Sequence, residues 1–504
     1  MKEKPTAEGL RRISCILYMA DNLRKKTFWG ILWSLAEKFA LEIFGLFQGI
    51  ILARLLMPSD YGLIGMVAIF LGISYTLADA GFCSALVRKK DRTAIDYSTV
   101  YTVNVCVSLF FCVILCLSSS LIADFYNQPM LRNIVCVNAI YLFLQSFLAV
   151  QNARLSILLK FKNRGIISVC TEVTTGIFSI IMALAGFGVW SLVVPCYFGL
   201  VVKAIMFWKL EHWFPGFGFS KKSFKEFWGF GSKLLVTNLI NNIYGNIYPM
   251  VIGKVYSPSD LGLYSKASGY AKLPSGIING VVSKVSFPVL SEIQDDDKRL
   301  AEVYRRMIKV STYIVFPLLV GLSALARPFI IVLITNKWAA SIILLQVLCF
   351  STMWSPIHSL NLNLLQIKGR SDLFLRLEII KKILGIIVLV TTVPLGLYYM
   401  CIGSVISSLI CLFINTFYTG KLIKVGLLVQ IKDTLPSLLY SLSMGLLIWF
   451  CISYIQSNWL QLIIGTSIGI AYYISISLVT KSPELKYLVF LIKEDMKIPF
   501  KFRH

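Results

Sequence analysis

Apolar residues in this chain fall into runs of about 20, each long enough to cross a bilayer core of roughly 30 Å as a helix. Fourteen runs predict fourteen membrane-spanning helices, over 27–54, 60–86, 97–123, 130–153, 165–185, 188–208, 227–253, 259–284, 307–326, 339–366, 373–393, 396–418, 434–455 and 458–479. Spans 27–54 and 259–284 exceed the thickness of the core and must tilt, bend or project. The period-2 alternation of an outer-membrane barrel is absent. The expected fold class is therefore an all-α polytopic membrane protein.

The polar positions between the runs alternate in kind. Loops after even-numbered spans are basic, as in Arg88, Lys89, Lys90 and Arg92, then Lys160, Lys162 and Arg164, then Lys221, Lys222 and Lys225. The pattern continues through Lys298, Arg299, Arg305 and Arg306, then Lys368 and Arg370, then Lys421 and Lys424. The opposite loops are short and nearly uncharged, such as Ala185-Gly186-Phe187-Gly188 and Pro394-Leu395-Gly396. Basic loops stay cytoplasmic, so both termini are expected inside.

The chain also repeats itself. Phe28-Trp29-Gly30 recurs as Phe227-Trp228-Gly229, and Pro58-Ser59-Asp60-Tyr61-Gly62 as Pro258-Ser259-Asp260-Leu261-Gly262, at offsets of 199 and 200. At this offset Gly45 falls on Gly245, Arg54 on Lys254 and Asp79 on Asn279; further on, Lys162, Arg164 and Glu172 match Lys368, Arg370 and Glu378. So long a period is not a solenoid. It predicts two pseudo-symmetric six-helix lobes plus two added helices, a build common in secondary transporters. The expected division is a cytoplasmic N-terminal segment (1–26), a first lobe (27–209), an interfacial linker (210–226), a second lobe (227–420), a cytoplasmic linker (421–433), two added spans (434–479) and a basic cytoplasmic tail (480–504). Arg11-Arg12 before an apolar run resembles half a signal peptide, but the run is short and no clean cleavage site follows; Met19 reads as a natural start. The linker mixes Trp213, Phe214, Phe217 and Phe219 with lysines, as an interfacial segment does. The tail's cations among Tyr, Phe and Ile suit a surface of anionic lipid.

Composition narrows the function. The chain is 57% apolar and 15% charged, against about 25% charged in a soluble protein. A net charge of +24 is carried by alternate loops, which encodes topology and not a nucleic-acid track. Twelve cysteines form no CxxC pair, and with three histidines no metal site is expected, although Cys112 and Cys116 share a helix face. Asp295-Asp296-Asp297 lacks calcium-loop spacing. Gly231-Ser232-Lys233 lacks the glycines of a phosphate loop, and no serine–histidine–acid set is available. Neither catalytic residues nor a cofactor is expected.

Ionisable residues inside spans are costly and mark function by default. Glu37 and Glu42 lie in span one, Asp79 in span two, Glu172 in span five and Glu378 in span eleven. Two of them have a bland reading: Lys38 and Glu42, four apart, can neutralise each other, and Glu378 has Lys381 and Lys382 one turn away, whereas Glu37 has no obvious local partner. In span eight Lys272, Gly276, Gly280 and Lys284 share one face, with Pro274 a source of bending and Lys266 on another face. Lys284, Lys254 and Arg54 can snorkel to an interface, but Lys272 falls near mid-depth and needs an anion or water. With Lys233 these cations predict a cationic cavity suited to an anionic substrate, above all a pyrophosphate.

Leu56-Met57-Pro58-Ser59-Asp60-Tyr61-Gly62, then Asp79-Ala80-Gly81 through Ala85-Leu86-Val87, then Lys272-Leu273-Pro274 through Phe287-Pro288-Val289-Leu290-Ser291, resemble polysaccharide exporters. Over about residues 20–480 the chain is similar to the Wzx-type flippases of the multidrug/oligosaccharidyl-lipid/polysaccharide superfamily, the colanic-acid-exporter-like group in particular. The resemblance implies a multi-pass protein of the bacterial inner membrane that moves an undecaprenyl-pyrophosphate-linked glycan outward by alternating access, for lipopolysaccharide or exopolysaccharide synthesis. It implies coupling to H+ or Na+, contact with membrane lipid, and work beside a polysaccharide polymerase and chain-length proteins. It carries over no catalytic residue. The competing readings are a lipid II flippase, an ion-coupled small-molecule antiporter on the same scaffold, and a glycan polymerase or ligase. The last needs a large outer loop, and the longest expected here are about a dozen residues, around 124–129 and 327–338.

Overall fold

A computed structural model describes Trp33 and residues 37–497. The expected N-terminal segment 1–26, the first turns of span one and the end of the basic tail lie outside the described residues. Among those described every regular element is helical. In chain order they are α1 (residues 37–55), α2 (Pro58–Asp79), α3 (Phe82–Arg88), α4 (Ala94–Tyr126), α5 (Met130–Ser146), α6 (Ala149–Ile157), α7 (Phe161–Leu184), α8 (Trp190–Val193), α9 (Pro195–Glu211) and α10 (Lys221–Val255). They continue as α11 (Pro258–Glu292), α12 (Asp297–Ala324), α13 (Ala326–Ile334), α14 (Ser341–Thr352), α15 (Ser355–Ile367), α16 (Ser371–Thr392), α17 (Leu397–Ile423), α18 (Leu427–Ile452), α19 (Asn458–Val479) and α20 (Pro483–Lys497).

Each of the fourteen expected spans coincides with a helix or an interrupted helix pair. Ten are long and apolar enough to cross a membrane, and α5 with α6, bent by 41°, makes an eleventh. The others fall short for visible reasons. Asn238, Asn241, Asn242 and Asn246 dilute α10, Arg376, Glu378, Lys381 and Lys382 dilute α16, and α1 is described only in part.

The chain forms two compact units, one ending at Ser259 and the other beginning at Asp260. In the first, α4 packs on α5, α7 on α9 and α2 on α10. Lipid is as apolar as leucine, so helices inside it associate through close backbone approach and polar contacts. The α2–α10 pair does both. Ala80 and Gly81 take left-handed φ of 44° and 73° and end α2, which brings Gly81 against Gly231 of α10. Further along, Asn242 Nδ2 donates to the Gly72 carbonyl (2.8 Å) and to Thr76 Oγ1 (3.0 Å). Lys89 closes the end of the pair, bridging buried Asp96 (3.1 Å) and Glu226 (3.0 Å). The residues between α9 and α10 fold back on α4. Thr102 Oγ1 donates to the Gly218 carbonyl (3.0 Å), the Ser220 amide donates to Thr99 Oγ1 (3.1 Å), and the rings of Phe214 and Phe217 meet Tyr101. Phe214, Phe217 and Phe219 stay exposed.

In the second unit α12 packs on α18, α14 and α16 on α17, and α18 on α19. Buried polar groups are answered in sets. Tyr304 donates to Asn361 Oδ1 (2.8 Å), which also accepts from Gln430 (3.1 Å), and Tyr313 donates to Ser477 Oγ (2.7 Å). Asp433, 3% exposed, accepts two bonds from Arg305 (2.6 and 2.8 Å) and lies 3.2 Å from Lys309. The tail's α20 lays Leu485 and Leu488 on the apolar cluster of Tyr313, Met444, Ile448 and Tyr473.

The repeat is visible in the backbone. Residues 51–60 and 251–260 run through the same sequence of helix, bend, extended residue and new helix, with Pro58 and Pro258 opening α2 and α11. Proline fits there because a first-turn amide has no intrahelical partner. Two differences follow. Where Gly81 breaks α2, its counterpart Val281 is β-branched, resists left-handed φ, and α11 runs on unbroken. The second changes a register. The turn after α6, with the Lys160 amide bonded to the Leu155 carbonyl, recurs after α15 with Arg370 bonded to Leu365, an offset of 210. The α15 helix has 13 residues against 9 in α6, one extra turn. Arg164 therefore stands opposite Phe374, and Glu172 opposite Lys382. The expected matches of Arg164 to Arg370 and Glu172 to Glu378 do not hold.

Candidate functional site

Three adjoining cavities run through the first unit. The largest, of about 570 Å³, is walled by the ends of α2 and α3 and by α4, α5, α6, α7 and α9. It presents Asp79, Asn104, Gln145, Asn152, Arg164 and Lys203 among its polar groups. A second of about 200 Å³ shares Asn152, Arg164 and Lys203 with it and adds Glu172. A third of about 560 Å³ joins Arg164 and Glu172 to Glu37, Lys38 and Glu42 of α1. Arg164 thus lines all three.

Local structure fixes these groups. Arg164 sits in the first turn of α7, where Nη1 donates to Ser156 Oγ of α6 (3.1 Å). Lys203 projects from the middle of α9, which reaches α7 closely because Gly199 lies against Thr171 and Thr175. The α1 helix meets α7 at two glycines: Gly165 faces Glu37, and Gly176 faces Phe44 and Gln48. Asn104 Nδ2 donates to Cys83 Sγ (3.5 Å), while its Oδ1, buried, accepts nothing from a described residue.

Neither Arg164 nor Lys203 forms an ion pair with a described residue, and neither do Asp79, Glu37, Glu42 and Glu172. Charges left unpaired within helices of a membrane segment carry a large desolvation cost unless water or a ligand attends them. Arg164 and Lys203 stand on α7 and α9, and Glu37, Glu42 and Glu172 gather toward α1 with Lys38 beside them. Such a groove can hold an anion at one end, hydroxyl groups along its amides, and a small cation at the other.

Asp79, Glu172, Glu37 and Glu42 come together in these cavities. Glu378 instead pairs with Lys381 one turn away, the bland reading above. Lys254 donates to the Phe125 carbonyl and lies 4.6 Å from that ring's centroid, so it secures the ends of α10 and α4. Lys233 and Arg54 are exposed on α10 and α1. On α11, Lys266 is half-buried with its ammonium 6.0 Å from the Trp338 ring. Lys272 and Lys284 are exposed, and between them a Cβ at Gly276 would meet nothing within 4 Å. No described carboxylate pairs with Lys272. Sequence reasoning missed Lys203, although it is the one charge in span six. It read Arg164 as a loop charge, since the packing of α6, α7 and α9 has no signature in a single sequence.

A many-helix membrane protein with charges lining polar cavities has the build of a membrane transporter. Its fold is that of the lipid II flippase MurJ in an inward closed conformation, with a TM-score of 0.73 at 19% identity over 89% of this chain and 98% of that one. A multidrug resistance MATE family transporter of the MOP superfamily, facing inward, follows at 0.59, with 16% identity over 76% of this chain and 96% of that one. The chain belongs to the polysaccharide biosynthesis protein family, whose model matches residues 51–343. It is similar to the lipopolysaccharide biosynthesis protein WzxC of Escherichia coli (strain K12), with 27% identity over 78% of this chain and 80% of that protein. It is also similar to the succinoglycan biosynthesis transport protein ExoT of Rhizobium meliloti (strain 1021), with 24% identity over 87% and 90%.

Proposed function

We propose that the protein is a flippase that carries a glycan linked to undecaprenyl pyrophosphate from the inner to the outer leaflet of the bacterial inner membrane, for surface polysaccharide synthesis. The observation that carries this is Arg164 and Lys203, two cations that pair with no described carboxylate and share one polar cavity of about 570 Å³. The family and the polysaccharide relatives support the substrate class.

The physics of the task matches. A sugar pyrophosphate cannot enter hydrocarbon, because its charges would lose their hydration. A guanidinium and an ammonium replace that water with charge-assisted hydrogen bonds. Gln145, Asn152 and Asn104 offer donors and acceptors for sugar hydroxyls. The prenyl tail stays in lipid throughout, so only the headgroup needs a path. In the second unit, exposed Lys272 of α11 is a candidate cation for an anionic headgroup. Glu37, Glu42 and Glu172 provide a place for a coupling proton or sodium ion. No bond is made or broken, and both termini stay cytoplasmic. The same acids favour a second reading, an ion-coupled antiporter for small cations.

The test is a strain lacking this gene in a host that makes its glycan. The flippase reading expects lipid-linked glycan to accumulate on the cytoplasmic leaflet, measured by its resistance to a glycosidase added outside spheroplasts. Normal display at the outer leaflet, with sensitivity to cationic dyes instead, would select the antiporter.

A further inference from the structure

A fourth cavity, in the second unit, plays no part in the flippase proposal. It lies between α12 and α20 and measures about 450 Å³. Glu302, Arg305, Arg306 and Lys309 of α12 face Glu484 and Tyr487 of α20 across it. Behind this wall Asp433 holds Arg305 and Lys309, so one buried carboxylate stands against two cations and one positive charge is left over. Arg306 forms no ion pair with a described residue; its guanidinium lies 5.3 Å from the Tyr487 ring centroid. Glu302 and Glu484 form none either. Charges of both signs therefore face one space without joining.

The depth of this space follows from the chain. The α12 helix carries charge up to Lys309 and none from Val310 to Ala324. The α20 helix begins four residues after α19 ends at Val479. Both place the cavity where hydrocarbon gives way to headgroups. On α20, Leu485 and Leu488 face the protein while Val489 and Phe490 are exposed, as on a helix lying along an interface.

An occupant at that depth has an apolar body, an anionic group for the surplus on α12, and a cationic group for Glu302 and Glu484. We propose that this cavity binds the phosphoethanolamine headgroup of a membrane phospholipid. The phosphate is held by Arg306 with the free donors of Arg305 and Lys309. The primary ammonium, with three donors, is held by Glu484 and Glu302. A choline headgroup has no such donors, and a glycerol headgroup has no cation.

The experiment uses the full-length protein, purified in detergent and stripped of lipid. Phosphatidylethanolamine, phosphatidylglycerol, phosphatidylcholine and free phosphoethanolamine are titrated separately, with binding read by native mass spectrometry. Phosphatidylethanolamine should bind about tenfold more tightly than either other lipid, the equivalent of one charge-assisted contact. Glu484→Gln should remove that preference and leave phosphatidylglycerol binding intact. Arg306→Gln should weaken all three lipids. Arg306 is exposed and Glu484 half-buried, and unchanged elution on size exclusion confirms the fold of each variant. Equal binding of phosphatidylglycerol by the unmodified protein, or an unchanged preference in Glu484→Gln, overturns the assignment. Tight binding of free phosphoethanolamine overturns the lipid as its source.

Discussion

Replacing Gly231 by alanine places one methyl group where α10 crosses the end of α2. A Cβ built there comes 2.7 Å from the Ala80 carbonyl oxygen and 3.4 Å from the Gly81 carbonyl carbon. Both are backbone atoms, so neither can swing aside. Overpacking of this kind costs about 1–3 kcal/mol, and the helical gain of alanine over glycine returns about 0.5–1. The net loss is about 0–2.5 kcal/mol. At Gly81 the same change adds the left-handed strain, φ being +73°, to a 2.8 Å contact with the Gly231 carbonyl oxygen. The loss there rises to about 3 kcal/mol. Gly245 supplies the control on the same helix, since a Cβ there meets nothing within 4 Å. Gly245→Ala should stabilise by about 0.5–1 kcal/mol. The assay is the thermal midpoint of the three variants in one detergent. The order expected is Gly245→Ala above the parent, then Gly231→Ala, then Gly81→Ala. A Gly231→Ala midpoint at or above that of Gly245→Ala would refute the close crossing.

Asp433→Asn should cost about 2 kcal/mol, between the values for exposed and fully buried ion pairs, because Arg305 is 42% exposed and Asp433 3%; a shift in midpoint no larger than that of a surface Asp→Asn change would contradict it. Lys272→Ala should lower glycan export about tenfold at normal protein abundance, while Lys272→Arg keeps part of it; export and abundance are measured together, and a fall in abundance alone would give Lys272 a structural role. Single cysteines in a cysteine-free background should label from outside at position 128 and not at position 90; the reverse pattern would invert the topology.

The helices were legible because their signal is local. An apolar run announces its own span, and Pro58 and Pro258 announce their own helix starts. Charge in the loops and the repeated motifs carried the expectation of paired lobes. The candidate site was legible only in part. Asp79, Glu172, Glu37 and Glu42 could be found one by one as charges at depth, since each violates its span's composition. Their meeting with Arg164 and Lys203 depends on how α1, α6, α7 and α9 pack, which no single span encodes. Lys254 shows the opposite limit: a lysine at a helix end looks the same in sequence whether it faces a cavity or caps the carbonyl of Phe125, as it does here. The second repeat block misled because one extra turn in α15 is invisible until the following loop is seen to recur at 210 and not 206.

Arg164 and Lys203 are the pair proposed to take the pyrophosphate. The direct measurement is the initial flipping rate of a fluorescent short-chain polyprenyl-pyrophosphoryl sugar in proteoliposomes, for Arg164→Ala, Lys203→Ala and the double variant at equal protein per vesicle. Each single variant should be slower by about tenfold, the loss of one charge-assisted contact, and the double variant by about a hundredfold or to background. Parental rates in both single variants and in the double would contradict the account.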